Sequence, residues 1–388
     1  MAVIGKGRSQ VTYVLSEKYI KNYIFIFTIA QLAMWYGGLA NLIPNTLVGK
    51  WNLMQVASIS VLIITFIGKR KVPNSFTLIF IISRLALAIS TIINANIVDM
   101  TPMFRMIALV LLVDLYSNSI DNLASPIMLI FEIMVYYNLF TVLAGHVDAY
   151  GAYYGALGYD NDFTRYLLAA YIWALFYAFT KKKYIRAIVL IIAIHFTLFY
   201  IWTGTGIVSI LVMDILLIWR IRKLKKITIL REYLIYLVIT IIVVFLRLQN
   251  VFSFLIVDLL HKDLTFTGRT NIWDKAIDYI VKKPLLGYGI MRQTLETLYL
   301  GGAHCHNAFL EQLFRGGILY VILFFVMIFL LHRSTKRCLD NRLVNTLCVS
   351  LCGIWIVCVT ESIFDDYIIW LIFVLIYNLQ YSIHPKRK

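Results

Sequence analysis

The chain has 388 residues, of which 61% are hydrophobic and only 14% are charged. Soluble domains have about 45–50% apolar and about 25% charged residues, so this composition excludes an ordinary soluble globular protein. The net charge is +16, but the basic residues fall in short clusters between apolar runs and form no basic domain, which argues against a nucleic-acid-binding protein.

Apolar runs recur along nearly the whole chain, and each is close to the length of about 20 residues that crosses about 30 Å of hydrocarbon. They predict an all-α polytopic membrane protein with about 12 transmembrane helices and a single transmembrane domain over residues 1–388. The first run is too long, and too poorly followed by a small-residue cleavage site, to be a removed signal peptide. The predicted spans are 23–43, 51–68, 76–93, 103–116, 123–144, 164–180, 184–202, 205–219, 229–246, 316–332, 343–361 and 366–383.

The positive-inside rule predicts the orientation of these spans. With the N-terminus in the cytoplasm, every basic cluster falls on the cytoplasmic side, whereas the acidic segment 145–163, which lacks Lys and Arg, falls outside. Both termini are then cytoplasmic. The run 103–116 is short and contains Arg105 and Asp114; if it is re-entrant, the count becomes eleven and the termini lie on opposite sides. The basic clusters are 69–71, 181–183, 220–226, 333–337 and 386–388.

A long segment, 247–315, lies between the ninth and tenth spans, and we predict that it is extracytoplasmic and helical. Its apolar run 251–260 suits a helix on the membrane surface better than a crossing one, because it is too short to span the bilayer. Thr270 is predicted to cap a following amphipathic helix, and Gly287 and Gly289 permit a tight turn before a last helix leads into the tenth span. The apolar face of the amphipathic helix comprises Ile272, Trp273, Ala276, Ile277 and Ile280.

Ionisable side chains inside or beside a membrane are costly, so they are functional candidates by default. Those near span ends could instead snorkel to lipid headgroups; they are Arg165, Arg247 and Arg315. Arg84 lies deep in its span and either pairs with an acid such as Asp114 or Glu132 or faces a polar cavity. The other candidates are Arg269, Arg292, His304, His306 and Glu361.

These residue types suit a lipid diphosphate substrate at the outer edge of the bilayer. Such a substrate requires fixed cations, and a guanidinium meets phosphate oxygens in bidentate fashion; Arg269, Arg292 and Arg315 are placed to supply them. A histidine near its ordinary pKa of about 6.5 can take a proton from an attacking hydroxyl group at neutral pH. His306 is the first candidate for this base and His304 is its rival, the alternative being two loop histidines that face solvent.

Other kinds of site find little support in the sequence. His304, Cys305 and His306 offer three donors in a short loop without a fourth ligand nearby, so we predict no metal site and no cofactor. The five cysteines do not form a disulfide framework, since three of them lie in the apolar run 343–361. They are interpreted as small packing residues.

Three motifs in the second half of the chain resemble the shared region of the O-antigen ligase and O-antigen polymerase superfamily. They are T-G-R-T-N-I-W at 267–273, K-P-L-L-G-Y-G at 283–289 and H-N-A-F-L-E-Q-L-F-R-G-G-I at 306–318, and their order and spacing also match. The polar stretch 157–167 resembles the Gly-Asn segment that precedes a span in this family. The first half of the chain matches in hydropathy only.

The resemblance implies a GT-C-type, metal-independent glycosyltransferase that acts outside the cytoplasm on polyprenyl-diphosphate-linked glycans. It implies that His306 is the general base, that Arg269 holds the diphosphate, and that Asn307 fixes the loop or the imidazole. The remaining predicted substrate-binding residues are Arg292, Arg315 and His304.

One departure from the family pattern concerns an arginine. The family often has T-G-S-R-G before a span, whereas this chain has T-G-T-G at 203–206. Either Arg84, Arg165 or Arg247 replaces the missing arginine, or the diphosphate is held with one cation fewer.

We expect an O-antigen or capsular polysaccharide polymerase of the bacterial plasma (inner) membrane, which hands the growing chain to a lipid-linked repeat unit. The compact outer segment and the divergent first half favour this over a ligase that transfers glycan to a lipid A core or to a protein. A flippase for lipid-linked oligosaccharides is a further alternative, but transporters often show paired halves and polar groups near the midplane. The expected partners are a polyprenyl-diphosphate-linked oligosaccharide, membrane lipid and, as a further candidate, a chain-length regulator.

Overall fold

The computed structural model describes residues 5–34, 45–95, 100–145, 154–223, 227–247, 269–290 and 304–383. In these ranges the protein is almost entirely helical. The helices are α1 (Gly5–Met34), α2 (Asn45–Gly68), α3 (Ser75–Ile93), α4 (Thr101–Leu115), α5 (Asp121–Leu143), α6 (Asp160–Lys181), α7 (Tyr184–Ile201), α8 (Gly204–Lys223), α9 (Ile229–Thr240), α10 (Arg269–Lys282), α11 (Ala308–Lys336), α12 (Arg342–Thr360) and α13 (Tyr367–Ile383). A 3₁₀ turn covers Ser117–Ser119 and a π-helical turn, Ile241–Phe245, extends α9. Two short antiparallel strands, β1 (Tyr154–Gly155) and β2 (Gly158–Tyr159), precede α6.

The helices agree with the predicted spans. Each predicted span overlaps one helix, α1 to α9 or α11 to α13, and α10 is the amphipathic helix predicted after the ninth span. The helix α1 begins at Gly5, well before the predicted start at residue 23. Six helices of the described chain are long and apolar enough to cross a membrane on their own: Thr46–Gly68, Ser75–Ile93, Asp121–Leu143, Tyr184–Ile201, Ala308–Lys336 and Arg342–Thr360. The all-helical architecture of a polytopic membrane protein is confirmed, and the count of twelve spans stays a prediction.

The short run that left the span count open is α4, which has 15 residues and is about 22 Å long. Its two charged side chains, Arg105 and Asp114, are both buried. Asp114 accepts a hydrogen bond from the amide of Asn74 at 2.8 Å, and Lys71 donates to the carbonyl oxygen of Leu115 at 3.1 Å. Because α4 packs against α1, α2 and α13, protein rather than lipid surrounds these polar groups.

The last helix, α13, occupies the centre of the bundle. Its residues are buried without interruption from Tyr367 to Leu379, and it packs against α3, α4, α6, α11 and α12. A helix that is apolar on all sides is buried either in a protein core or in a membrane, and the contacts of α13 place it in the core of the bundle. This central position places the short link between α12 and α13, residues 361–366, beside the start of α11.

Two of the sequence motifs dock on each other. The helix α11 is kinked at Gly317, where φ is 62° and ψ is −163°, and the kink leaves carbonyl groups ahead of it without helical partners. The amides of Tyr288 and Gly289 donate to the carbonyl oxygens of Phe314 and Arg315, at 2.8 and 2.7 Å. A Cβ atom at Gly317 would lie 2.3 Å from a carbonyl oxygen of the docked loop, so only glycine permits this approach.

One end of the bundle, which we call the site end, gathers most of the predicted site residues. It contains the C-terminal ends of α3 and α12, the N-terminal ends of α6, α8 and α11, and the helix α10. The basic clusters 69–71, 181–183 and 333–337 lie at the opposite end, where α2 joins α3, α6 joins α7 and α11 joins α12. The apolar run 251–260 lies outside the described residues.

Candidate functional site

A carboxylate at the end of α12 joins two of the predicted site residues. Glu361 Oε2 lies 3.3 Å from Nδ1 of His306, and Glu361 Oε1 forms an ion pair with the guanidinium of Arg269. The side chains of Glu361, Arg269 and His306 are 11%, 13% and 24% exposed. The three side chains of the cluster are therefore mostly buried, but part of each remains accessible from outside the protein.

Glu361 selects the ring nitrogen of His306 that remains free. Burial raises the pKa of the Glu361 carboxyl, but the hydrogen bond with His306 and the positive charge of Arg269 outweigh burial and hold that pKa below its usual value. An ionised carboxylate only accepts hydrogen bonds, so Nδ1 of His306 donates to it. The neutral ring then keeps its lone pair on Nε2, which is the arrangement that a general base requires.

The neighbouring His304 has different partners. The centroids of the two imidazole rings are 4.0 Å apart, and Nδ1 of His304 accepts a hydrogen bond from the amide of His306 at 3.3 Å. Burial, together with the nearby His306, lowers the pKa of His304 to about 4, so this ring is neutral at physiological pH. A neutral ring whose Nδ1 accepts carries its proton on Nε2. His304 can therefore donate a hydrogen bond, but it has no free lone pair to receive a proton.

The loop that carries the histidines is fastened on three sides. Asn307 is fully buried; its Oδ1 accepts from the amides of Phe309 and Leu310, which caps α11, and its Nδ2 donates to Val359 at 2.9 Å. From α10, Trp273 donates to the carbonyl oxygen of His306 at 3.4 Å. These contacts favour a loop-fixing role for Asn307 over direct contact with a substrate.

The backbone of His306 adopts an uncommon conformation. Its φ is 48°, in the left-handed region that residues other than glycine seldom occupy. Such a conformation costs about 1–3 kcal/mol and persists where the surrounding structure imposes it, often at functional sites. The loop that carries the histidines thus holds the His306 imidazole in a direction that a relaxed backbone would not give.

The arginines near span ends are held by carboxylates rather than extended to a lipid surface. Arg165 Nη2 lies 2.6 Å from one acid and its Nε lies 3.2 Å from another, and Arg315 Nη1 lies 3.1 Å from its second acid. Arg247 also donates to a backbone carbonyl of α10 at 3.0 Å. The pairs are Arg165 with Asp162 and Asp366, Arg247 with Asp274, and Arg315 with Glu311 and Asp365.

Arg84 lies among aromatic rings. Its side chain is 1% exposed, and its guanidinium carbon lies 5.0–5.1 Å from the centroids of three aromatic rings, those of Phe80, Tyr320 and Trp370. The predicted pairing with Asp114 or Glu132 is wrong. Asp114 accepts from the amide of Asn74 just before the start of α3, and Glu132 is bound by Arg186. In this structure the guanidinium is held by cation–π contacts, and its Nη1 lies 3.7 Å from the sulfur of Met106.

A small cavity adjoins the histidine loop. Its enclosed space is far smaller than the range of about 300–1,000 Å³ that is typical of ligand pockets. The polar residues that line the cavity are Glu311, Gln312, Arg315, Tyr320, Ser362 and Asp365.

Three side chains of this cluster have the composition of a metal site. Donor atoms of His304, His306 and Glu361 lie within 4.8 Å of one another. However, Nδ1 of His304 accepts from a backbone amide and the two oxygens of Glu361 face Arg269 and His306. A metal ion would have to replace these partners and approach a guanidinium, so the arrangement suits hydrogen bonding better than metal coordination.

Several of these residues were predicted from the sequence to belong to the site, but the contacts of others could not be predicted. Arg269, His304, His306 and Arg165 lie at the site end, as do the acids of the link 361–366, whereas Arg292 lies outside the described residues. Glu361 was a candidate because of its place at a span end, but nothing local linked it to His306, which is 55 positions away. The cluster of three acids in the link was the available signal.

Comparison with known proteins agrees with the sequence motifs. Residues 187–325 match the family model described as O-Antigen ligase, which confirms the resemblance over this part of the chain. The matched region runs from α7 into α11 and contains Arg269, His306 and Asn307, but it ends before Glu361. No curated protein matches the chain.

Proposed function

We propose that this membrane protein, which carries an O-antigen ligase family match over residues 187–325, is a polysaccharide polymerase. It would be a GT-C-type glycosyltransferase that moves a polyprenyl-diphosphate-linked glycan onto a lipid-linked repeat unit. The observation that carries the proposal is the row Arg269–Glu361–His306, in which a guanidinium and a base with a free Nε2 share one carboxylate. The family match supports the wider class, an O-antigen ligase- or polymerase-like membrane enzyme.

The proposed reaction is a direct displacement at the anomeric carbon of the donor sugar. A hydroxyl oxygen of the acceptor sugar forms the new bond to that carbon while the bond to the diphosphate oxygen breaks. The hydroxyl proton goes to Nε2 of His306, and the electron pair of the broken bond leaves with the lipid diphosphate. General-base catalysis of this kind typically contributes about 10²–10⁴-fold.

Arginine stabilises the negative charge that develops on the leaving diphosphate. Arg269 is the first candidate, because Glu361 holds it next to His306. Arg165 is the second, since it lies at the site end and could replace the arginine that is absent at 203–206. Arg292, Arg247 and Arg315 remain predicted contributors to the same charge.

The charge distribution supports an extracytoplasmic site. The basic clusters 69–71, 181–183 and 333–337 lie at the end of the bundle opposite to His306, and the positive-inside rule puts such clusters in the cytoplasm. We therefore propose a multi-pass protein of the bacterial plasma membrane with twelve spans, both termini in the cytoplasm, and residues 247–315 outside.

Two other functions compete with a polymerase. A ligase would use the same chemistry but a different acceptor, a lipid A core or a protein, and a chain-length regulator would be expected to accompany a polymerase only. A flippase would move the lipid-linked oligosaccharide without forming a glycosidic bond. The ordered histidine loop at one end of the bundle favours transfer chemistry, because a transporter usually places its polar groups near the midplane.

The test is to incubate the purified protein with a lipid-linked repeat unit in liposomes, without an energy source and with EDTA. A ladder of longer glycans indicates a polymerase, transfer only after addition of lipid A core indicates a ligase, and unchanged glycan on the opposite leaflet indicates a flippase. Because the proposed reaction needs no metal, EDTA should leave the ladder unchanged.

The role of His306 is tested in the same assay. His306→Ala should abolish chain growth while the protein remains folded, because it removes the Nε2 atom that would take the hydroxyl proton. His332→Ala, a change of the same residue type in α11 but far from the site end, should retain activity. Chain growth by folded His306→Ala would refute the assignment.

A further inference from the structure

We propose that Glu361 occupies the place on Arg269 that the lipid diphosphate takes, and that diphosphate binding releases this carboxylate to His306. Glu361 would then be a positioning residue that orients the base fully only when the leaving group is present. The inference rests on the proposed roles of His306 and Arg269.

The two contacts of Glu361 are unequal. Its Oε1 is in direct contact with the guanidinium of Arg269, whereas its Oε2 lies 3.3 Å from Nδ1 of His306. Charge-assisted hydrogen bonds are usually about 2.7–2.9 Å long. The carboxylate is therefore engaged mainly by the arginine, and its bond to the imidazole is long.

A carboxylate and a phosphoryl group use the same N–H groups of a guanidinium. The N–H groups of Arg269 that contact Glu361 cannot also donate to a diphosphate. Among the described residues, Arg165 and Arg315 are likewise engaged, because each pairs with two acids, and Arg247 pairs with Asp274. A diphosphate that binds this side of Arg269 must consequently displace Glu361, whose second partner is His306.

The surroundings of Glu361 determine where the carboxylate goes. The positively charged or hydrogen-bonding groups near it are Arg269 from α10, His304 and His306 from the loop, and Arg165 from α6; the acid Asp162 also faces it. A buried carboxylate without a partner is strongly unfavourable, and Nδ1 of His306 is the donor already within reach. Glu361 follows α12 in extended backbone, with φ −140° and ψ 152°, so its side chain can turn without disturbing the helix.

The consequence is that two events at the site are coupled. Before the diphosphate arrives, Glu361 neutralises Arg269 and orients His306 weakly. Afterwards, Arg269 stabilises the leaving group and Glu361 fixes His306 with Nε2 toward the acceptor hydroxyl. The competition with Glu361 thereby weakens diphosphate binding. In return, His306 is fully oriented only when the diphosphate is bound.

This coupling makes a prediction that a merely structural residue would not. Glu361→Gln keeps the shape of the side chain and removes its charge, so nothing anionic competes for Arg269. The dissociation constant for farnesyl diphosphate, measured by titration calorimetry in detergent, should fall about three- to tenfold. The turnover number should fall at least about tenfold, because the base loses the carboxylate that orients it.

Two further variants keep the test decisive. Glu17→Gln removes the same charge from an exposed pair with Lys21 and should alter neither quantity. Glu361→Asp keeps the charge but withdraws it by one methylene group, so it should also bind farnesyl diphosphate more tightly and turn over more slowly. It serves in place of Glu361→Gln if that variant does not fold.

Weaker or unchanged affinity in the folded Glu361 variants would overturn the inference, as would equal tightening in Glu17→Gln. The outcome can be separated from that of the proposed function. If the wild-type protein builds a glycan ladder but the Glu361 variants bind farnesyl diphosphate normally, only the exchange of the carboxylate is refuted. If the variants bind more tightly but the wild-type protein builds no ladder, the polymerase proposal fails and the exchange stands.

Discussion

His304 and His306 are two positions apart, yet hydrogen bonding gives their rings opposite properties. Glu361 accepts from Nδ1 of His306 and leaves Nε2 free, whereas Nδ1 of His304 is itself an acceptor for a backbone amide. Burial also lowers the pKa of His304, to about 4. The residue type therefore does not determine the chemistry here; the partner of each nitrogen does.

A substitution at His304 tests this difference through the pH dependence of the rate. A group whose pKa is about 4 stays deprotonated above pH 5, so it cannot cause a loss of rate as the pH falls from 8 to 5. His304→Gln should lower the turnover number but leave the shape of the pH–rate profile between pH 5 and 8 unchanged. A displaced acid limb in this variant would assign the titrating base to His304 instead.

At the scale of elements, two asparagines begin two neighbouring helices in the same way. Asn307 caps α11 at the site end, and Asn341 caps α12 at the opposite end, where its Oδ1 accepts from the amides of Leu343 and Val344. Asn307 differs in one respect, because its Nδ2 also ties the start of α11 to the end of α12 at Val359. The cap of α11 is therefore also the support of the histidine loop.

The two caps should separate stability from activity. Loss of an N-cap side chain costs about 0.5–2 kcal/mol, so Asn307→Ala and Asn341→Ala should both lower the melting temperature in detergent. Only Asn307→Ala should also lower glycan polymerisation by the folded protein, by at least about tenfold, since a small displacement of a catalytic group has a large effect on rate. Equal specific activities of the two variants would show that the loop does not depend on Asn307.

At the scale of the whole molecule, a second polar cluster joins α6, α7 and α8 away from the site end. The hydroxyl of Tyr171 donates to Asp214 Oδ1 at 2.6 Å, and His195 Nε2 lies 2.8 Å from Asp214 Oδ2. The other ring nitrogen, Nδ1, lies 2.9 Å from the carbonyl oxygen of Ile191. Both ring nitrogens of His195 thus face hydrogen-bond acceptors. Polar groups between membrane helices commonly serve as such interhelical contacts.

Replacing one member of the His195–Asp214 pair should lower the unfolding temperature more than replacing both. Asp214→Leu leaves Nε2 of His195 and the hydroxyl of Tyr171 without their acceptor, and His195→Leu leaves Oδ2 of Asp214 without its partner; unpaired polar groups cost at least about 1 kcal/mol each. The double variant should unfold at a higher temperature than either single variant in a double-mutant cycle. Additive losses would mean that the two side chains do not act as a pair.

The overall architecture was accessible from the sequence, because hydropathy is a local property that reflects the solvent around each helix. The predicted spans therefore overlap helices, and the amphipathic pattern after Thr270 corresponds to α10, whose Ile272, Trp273 and Ala276 are buried. The predicted N-cap role of Thr270 is wrong, because Arg269 and Thr270 are already helical. The motif residues were recognisable for a similar reason, since each motif is a short continuous stretch.

The tertiary structure alone decided which of these residues meet. The sequence by itself determined a helical membrane protein with His306 and Arg269 in one polar segment, but it could not say that Glu361, from a different helix end, lies between them. It also could not enclose Arg84 in three aromatic rings from three helices, or pair Arg165 with the link before α13. The physical reason is that hydropathy depends on neighbours along the chain, whereas the partner of a charged group depends on how distant helices pack.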